Sequence, residues 1–419
     1  MSETARTWPV PRPPADVVVI GAGLGGLRTV EQLRQLGYQG TITLVGGEAH
    51  PPYDRPPLSK QLLAGLWELD KIMLVDGHGL DDLDVRLSLG QRAVALHSGE
   101  VKLADGSVLR ADAIVVATGV EARKLPGQPD QIFSLRTLDD ALALRAALER
   151  ADSLLIVGAG FIGAEVASTA LGLGVSVTML EAMPVPMSLA LGAQVGRLCG
   201  RLITEAGADL RTGTAVRRFH DSGPGMTVEL EDGTTLSADV AVVGIGGTPN
   251  LQWLGDTGLD FAGGIPCDAS GRVEGLNGVW AVGDVSAWSE AGYGRRRHEH
   301  WTSTTEQAAA VARDIVGAEP LPRAVPYFWS DQFGMKIQLL GRPDHAESVI
   351  QLHGQGLSGG PVKGTVVGYL ADGRLIGVAG FGAARLVSRY RASLLNGSDL
   401  ATALEFASSL ADTAQSAIG

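Results

Sequence analysis

An α/β fold of two parallel-sheet domains, one nested inside the other, with a smaller α+β domain at the end, is what this chain predicts. Three observations carry the prediction. The same glycine pattern occurs twice, as Gly21-Ala22-Gly23-Leu24-Gly25-Gly26 and as Gly158-Ala159-Gly160-Phe161-Ile162-Gly163. Each copy follows a short apolar run, Val17-Val18-Val19-Ile20 or Leu154-Leu155-Ile156-Val157, and opens a stretch with helical spacing. From Pro326 onward the texture changes to short strand-like runs and then a long helix-like stretch.

In order along the chain, residues 27–36 have helical apolar spacing and Thr41-Ile42-Thr43-Leu44-Val45 reads as the second strand of a βαβ unit. Ala113-Ile114-Val115-Val116-Ala117 reads as a third buried strand, running into Thr118-Gly119. A charged linker, residues 121–124, leads to a second βαβ unit, with its own second strand at Ser176-Val177-Thr178-Met179-Leu180, a hairpin around Glu231-Asp232-Gly233-Thr234 and a closing strand at Ala241-Val242-Val243-Gly244. Val279-Trp280-Ala281-Val282-Gly283-Asp284 reads as a strand that returns to the first sheet. The expected division is therefore 1–120 with 249–325, an inserted domain at 121–248, and an α+β domain at 326–419 whose residues 375–406 are helical.

The two glycine turns point to two bound dinucleotides. Glycine lets the backbone turn sharply after a strand and approach a pyrophosphate at a helix N-terminus. The residues expected at these turns are Gly21, Gly23, Leu24, Gly25 and Gly26 in the first and Gly158, Gly160, Phe161, Ile162 and Gly163 in the second. An acidic residue at the end of the following strand commonly bonds the ribose hydroxyls. In the second unit this is Glu181, with no arginine directly after it to take a 2′-phosphate, which favours NADH over NADPH. In the first unit Gly47 stands where a carboxylate is first sought, so Glu48 or the local backbone takes that role.

Composition narrows the classes. Hydrophobic residues make up 45% of the chain against 19% charged, which suits a globular protein with an ample core. A formal net charge of −12 argues against nucleic acid or an anionic membrane as the main partner. The acidic excess lies before Pro326, because acids and bases balance after it. No run reaches the length of a bilayer-spanning helix and no signal-peptide pattern opens the chain, so a cytoplasmic protein is expected. Cys199 and Cys267 are far apart and form no C-x-x-C, which makes a redox dithiol unexpected and assigns electron chemistry to a cofactor. His298 and His300 have no zinc-like partners, and no metal is expected.

The segment Pro52-Tyr53-Asp54-Arg55-Pro56-Pro57-Leu58-Ser59-Lys60 resembles the flavin-side segment of the NADH-dependent ferredoxin reductases that serve bacterial cytochrome P450s and ring-hydroxylating dioxygenases, on a glutathione-reductase-like fold. The likeness extends through Ala117-Thr118-Gly119, the second glycine turn with Glu165, Gly283-Asp284, and Tyr327-Phe328-Trp329-Ser330-Asp331-Gln332. The tail before Asp16 and the glycine at 47 are its clearest departures. The resemblance implies two Rossmann-like dinucleotide-binding domains, for FAD and NADH, and a catalytic pair in which Lys60 lies beside the flavin ring and is held by Glu165. A nearby ammonium stabilises the negative charge of a reduced flavin, and a carboxylate keeps that lysine charged and oriented.

Arg55 is expected on the flavin or its phosphates and Asp284 on the ribityl chain, with Trp329, and after it Trp301, as aromatics near the ring system. Ala117, Thr118, Gly119, Arg123, Gly246 and Gly283 complete the expected cofactor contacts. Pro56-Pro57 is expected to hold an extended, rigid backbone. The implied reaction passes electrons from NADH through FAD to an acidic [2Fe-2S] ferredoxin that supplies a P450 or other oxygenase. Arg295-Arg296-Arg297 is the expected docking cluster, extended by Arg313, Arg385, Arg389 and Arg391, on a monomer or weak dimer. A rubredoxin or monodehydroascorbate-type reductase, or a signalling flavoprotein similar to apoptosis-inducing factor, would present nearly the same motifs.

Overall fold

The computed structural model describes residues 13–75, 77–97, 99–221, 225–322 and 324–416. The chain divides into two compact units. One holds the chain through Asp54, with Ile72–Glu121 and Thr248–Ala324, and the other holds Arg55–Lys71, Ala122–Gly247 and the chain from Val325. In this division the segment Arg55–Lys71 joins the second unit, and the C-terminal region shares that unit with residues 122–247.

The first unit is built on a five-stranded parallel sheet in the order Val279–Ala281, Ala113–Val116, Asp16–Ile20, Thr41–Val45, Val85–Ser88. Its strands are valine- and isoleucine-rich and buried along almost their whole length in the centre, as a sheet covered on both faces requires. Helices Leu24–Gln35 and Trp301–Val316 pack on each other and on this core. Ile20 lies level with Val45 on one side and Val116 on the other, so three strands end together. The hydrogen bonds Gly21 N–H to Val45 O and Ala117 N–H to Ile20 O, both 2.7 Å, fix the loops at that edge.

The second unit repeats the device. Four parallel strands run in the order Asp209–Thr212, Ser176–Glu181, Ser153–Val157, Val240–Val243, with helix Phe161–Gly172 following the Ser153–Val157 strand. Gly158 N–H bonds Leu180 O at 2.7 Å and Gly244 N–H bonds Val157 O at 2.8 Å. The hairpin expected near 226–236 is the pair Met226–Leu230 and Thr235–Ala238, joined by Val216–Asp221 into an antiparallel sheet.

The C-terminal part of this unit is a five-stranded antiparallel sheet, Tyr327–Gln332, Met335–Gly341, Arg374–Phe381, Val366–Ala371, Ser348–His353. Here the sequence expectation of a helix through 375–406 is corrected. Arg374–Phe381 is the central strand of the sheet, and helices begin only at Ala384, with Ala384–Arg389, Arg391–Leu395 and Leu400–Ser416. Leu375-Ile376-Gly377-Val378-Ala379-Gly380-Phe381 is buried at nearly every position, and a continuous apolar run carries no period to separate strand from helix. Two smaller expectations also change. The Val279–Ala281 strand stops before Gly283–Val285, which forms a 3-10 turn. Pro56-Pro57 opens the 3-10 turn Pro56–Ser59 and is not extended; a first helical position needs no N–H, so proline fits there.

Candidate functional site

In the first unit the glycines of the first turn divide into those fixed by packing and one that faces space. A Cβ on Gly21 would lie 2.1 Å from the Ala117 carbonyl oxygen, and Gly21 has φ +117°. One on Gly26 would lie 1.9 Å from the Gly21 carbonyl oxygen, and one on Gly25 would press on Thr304 and Val282 at 3.1 and 3.2 Å. Gly23, by contrast, has nothing within 4 Å of that position. It precedes the helix Leu24–Gln35, which has no side-chain cap, so the first N–H groups of that helix are left to face a ligand. This cradle fits a pyrophosphate.

Around the cradle stand the other residues expected in this unit. Glu48 accepts a 2.5 Å hydrogen bond from the Tyr53 hydroxyl, while a Cβ at Gly47 would meet the Arg92 side chain at 3.3 Å. Ala117, Thr118 and Gly119 follow the strand end, where Thr118 and Gly119 are tied to Asn250 through Thr118 Oγ1 to Asn250 O, Asn250 Nδ2 to Thr118 O and Asn250 N–H to Gly119 O. Gly283 has φ +76° and donates its N–H to Gln307 Oε1 at 2.7 Å. Asp284 follows in the 3-10 turn, and its carbonyl accepts from Arg297. Trp301, first residue of its helix, donates its indole N–H to Asp54 at 2.9 Å, and the Arg28 guanidinium lies 5.9 Å from its ring centroid. The imidazole of His300, immediately before it, is held down to about 4 by burial, with His298 adding to the effect and Asp284 opposing it.

In the second unit the glycine turn has the same division. Gly158 has φ +106° and its Cβ would lie 2.4 Å from the Gly244 carbonyl oxygen; that of Gly163 would lie 2.1 Å from the Gly158 carbonyl oxygen. Gly160 is open, its nearest neighbour at 4.0 Å, and the helix after it again has no side-chain cap. Glu181 sits where the sequence placed it, accepting from Ala159 N–H at 2.9 Å and Met183 N–H at 2.8 Å. Ile162 is exposed, and Phe161 packs on Phe328 with ring centroids 4.4 Å apart.

The same unit holds the expected lysine and carboxylate together. Lys60 Nζ is 2.7 Å from Glu165 Oε2, with side chains 13% and 6% exposed. Ser59 donates to the same oxygen at 2.6 Å, and Ser330 donates to Oε1 at 2.6 Å. The turn Pro56–Ser59 supplies Ser59 and Lys60, the helix Phe161–Gly172 supplies Glu165, and the strand Tyr327–Gln332 supplies Ser330. A carboxylate removed from water needs such donors. Sequence reasoning assigned no role to Ser59, Ser330, Tyr53, Asp54 or Gln307; the first four lie inside or beside motifs, which was the available signal.

Other expected residues are spread differently. Arg55 precedes the 3-10 turn and donates to the Arg136 carbonyl. Arg123 is exposed, with its N–H on the Gly246 carbonyl at 2.9 Å. Trp329 stacks on Tyr327 at 5.9 Å and lies beside the Lys336 ammonium, on the strand face opposite Ser330. Of the arginine cluster, Arg295 pairs with Glu274 and Arg297 with Glu299. Arg313 belongs to the first unit with them, and Arg385, Arg389 and Arg391 to the second.

Two uncapped glycine turns on parallel sheets, each with an acidic residue near the next strand's end, define a two-nucleotide oxidoreductase. Comparison with known proteins agrees. Residues 15–308 match the model of the pyridine nucleotide-disulphide oxidoreductase family, and residues 327–414 match that described as reductase C-terminal. The chain is 37% identical over 330 residues to the ferredoxin–NAD(+) reductase subunit of the benzene 1,2-dioxygenase system of Pseudomonas putida, covering 78% of this chain and 80% of that protein. It is 33% identical to putidaredoxin reductase of the same organism over 347 residues, 80% and 82% of the two chains. Among solved structures, the covalent putidaredoxin reductase–putidaredoxin complex matches with a TM-score of 0.87 and 30% identity, over 92% of this chain and 94% of that one. The chain belongs to the pyridine nucleotide-disulphide oxidoreductase family.

Proposed function

We propose that this chain is an NADH-dependent ferredoxin reductase, which takes electrons from NADH through FAD to a [2Fe-2S] ferredoxin serving a P450 or dioxygenase. The observation that carries this reading is the state of its thiols, within a family named for disulphide chemistry. Cys199 and Cys267 are both buried and unbridged, and burial pushes both thiols up to about 12. Thiol exchange needs an accessible thiolate, so electrons leave this chain by its cofactor. The relatives named for ferredoxin reduction, and the solved complex with putidaredoxin, support the choice of acceptor.

Bound flavin supplies the conversion of a two-electron donor to one-electron steps. The protein's own part is binding, orientation and charge. The open face at Gly23 and the uncapped helix behind it would receive the flavin pyrophosphate, Glu48 the ribose, and Asp284 the ribityl chain, with Ala117, Thr118, Gly119, Gly283 and Trp301 as further contacts in that unit, while Arg55, Arg123, Gly246 and Trp329 are the further cofactor contacts proposed in the other. Gly160 and Glu181 do the same for NADH. Lys60, held by Glu165, would supply positive charge to the reacting ring of a bound flavin. The division into flavin domain (1–120 and 249–325), NADH domain (121–248) and C-terminal domain (326–419) follows from these assignments. No described helix is long and apolar enough to cross a membrane, and a cytoplasmic location is part of the proposal.

Alkylation of the native protein tests the reading. Iodoacetamide should leave NADH–ferredoxin turnover unchanged, whereas rapid inactivation in step with modification of Cys199 or Cys267 would mean that a thiol takes part.

A further inference from the structure

The Glu165 carboxylate receives more donors than a simple ion pair supplies. We infer that Ser330, delivered from the C-terminal sheet, is a positioning residue for the Lys60–Glu165 pair; this rests on the redox role proposed for that pair. Ser330 is 1% exposed and Glu165 4%, so neither exchanges its partner for water at the surface. Lys60 and Ser59 both bond Oε2, and Ser330 is the donor at Oε1.

The direction of this chain of bonds is fixed. An ionised carboxylate only accepts, so the Ser330 hydroxyl must spend its single proton on Glu165. Gln332, two residues on and on the same strand face, then donates from Nε2 to Ser330 Oγ at 3.1 Å. On the other side Lys60 Nζ reaches both Glu165 Oε2, at 2.7 Å, and Ser59 Oγ, at 3.2 Å. Two serines from opposite directions thus fix both carboxylate oxygens, and the carboxylate fixes the ammonium. The Phe161–Phe328 ring contact, two residues before Ser330 on the same strand, pins the strand to the start of the helix that carries Glu165. Just past the strand's end, Phe333 N–H on Ser168 Oγ, at 2.7 Å, makes a second tie about two turns along that helix.

Removal of the Ser330 hydroxyl leaves Oε1 without this donor in a dry site. Glu165 then turns to recover one, and Lys60 loses its fixed partner. The effect belongs to the pair and does not pass through nucleotide binding.

The test uses the holoprotein and, in parallel, the same chain stripped of flavin. Acylation of Lys60 by a water-soluble N-hydroxysuccinimide acetate is followed by mass spectrometry, with exposed Lys102 as internal standard for an intact fold. Ser330→Ala should raise the Lys60 rate at least threefold with Lys102 unchanged, and Ser330→Thr should restore it. In stopped flow, flavin reduction by NADH should slow about fivefold or more in Ser330→Ala with the half-saturating NADH concentration unchanged, and Ser330→Thr should again recover it. Lys60 acylation equal to wild type in Ser330→Ala overturns the inference. The control Lys60→Met separates the two layers: if it reduces flavin at the wild-type rate while Ser330→Ala still exposes Lys60, Ser330 keeps its positioning role and the redox role of the pair is lost.

Discussion

Single glycines in the two turns do different work, and one substitution at each kind of position separates folding from binding. Gly26→Ala places a methyl group 1.9 Å from the Gly21 carbonyl oxygen, so backbone must move and the cost is about 3 kcal/mol, read as a lower unfolding midpoint of the flavin-free protein. Gly23→Ala meets nothing within 4 Å and has an ordinary φ of −91°, so the flavin-free midpoint should stay in place while flavin is retained at least tenfold more weakly. Equal loss of stability in both variants would contradict the open cradle. Glu181 makes a separate prediction: Glu181→Ala should lower the preference for NADH over NADPH about tenfold, about 1.4 kcal/mol, measured as the ratio of the two kcat/KM values. The placement of both glycine turns and of Glu181 was legible in the sequence, because it depends on local spacing. The aim of Ser59 and Ser330 was not, since they meet Glu165 across 106 and 165 residues of chain. The arginines at 295–297 looked like one positive face, but carboxylates distant or adjacent in sequence, Glu274 and Glu299, answer two of them.

At the scale of elements, the start of the helix Trp301–Val316 carries a built-in pH dependence. His300, the residue before it, is partly buried and its imidazole is held from 6.5 down to about 4, with removal from water the main cause. Between those values the unfolded chain binds a proton that the folded chain refuses, so stability falls as pH is lowered from 6.5 and the loss is complete near 4. The loss amounts to about 3 kcal/mol, at about 1.4 kcal/mol per pH unit. Denaturant midpoints between pH 7 and 4.5 should therefore fall less steeply in His300→Asn than in the wild type; parallel curves would show that His300 does not carry this term. Elements with alternating or bounded apolar runs, such as Thr41–Val45 and Ser153–Val157, were readable from sequence. Arg374–Phe381 was not, because a strand buried on both faces offers no alternation, and the helices that follow the next glycine extended the apparent helical texture back over it. The turn Pro56–Ser59 escaped for a different reason: proline forbids continuation of a helix but is well suited to begin a short one.

For the whole molecule, the sequence made the two-nucleotide plan visible through repetition, and the comparisons agree with that plan over most of the chain. Packing, however, depends on neighbours distant in sequence, which is why Arg55–Lys71 and the C-terminal region join one unit although their motifs read as separate parts. With a net charge of −12 the chain would meet an acidic acceptor only through local positive surface, and its two buried thiols point to the cofactor as the exit for electrons. An anaerobic spectral titration examines that claim most directly: NADH is added to the purified yellow protein, then a [2Fe-2S] ferredoxin in stoichiometric amount. The account predicts that the flavin bands bleach with NADH and return as the ferredoxin spectrum becomes that of its reduced form. Bleaching that persists in the presence of ferredoxin, with electrons released only to a dithiol or disulphide, would contradict it.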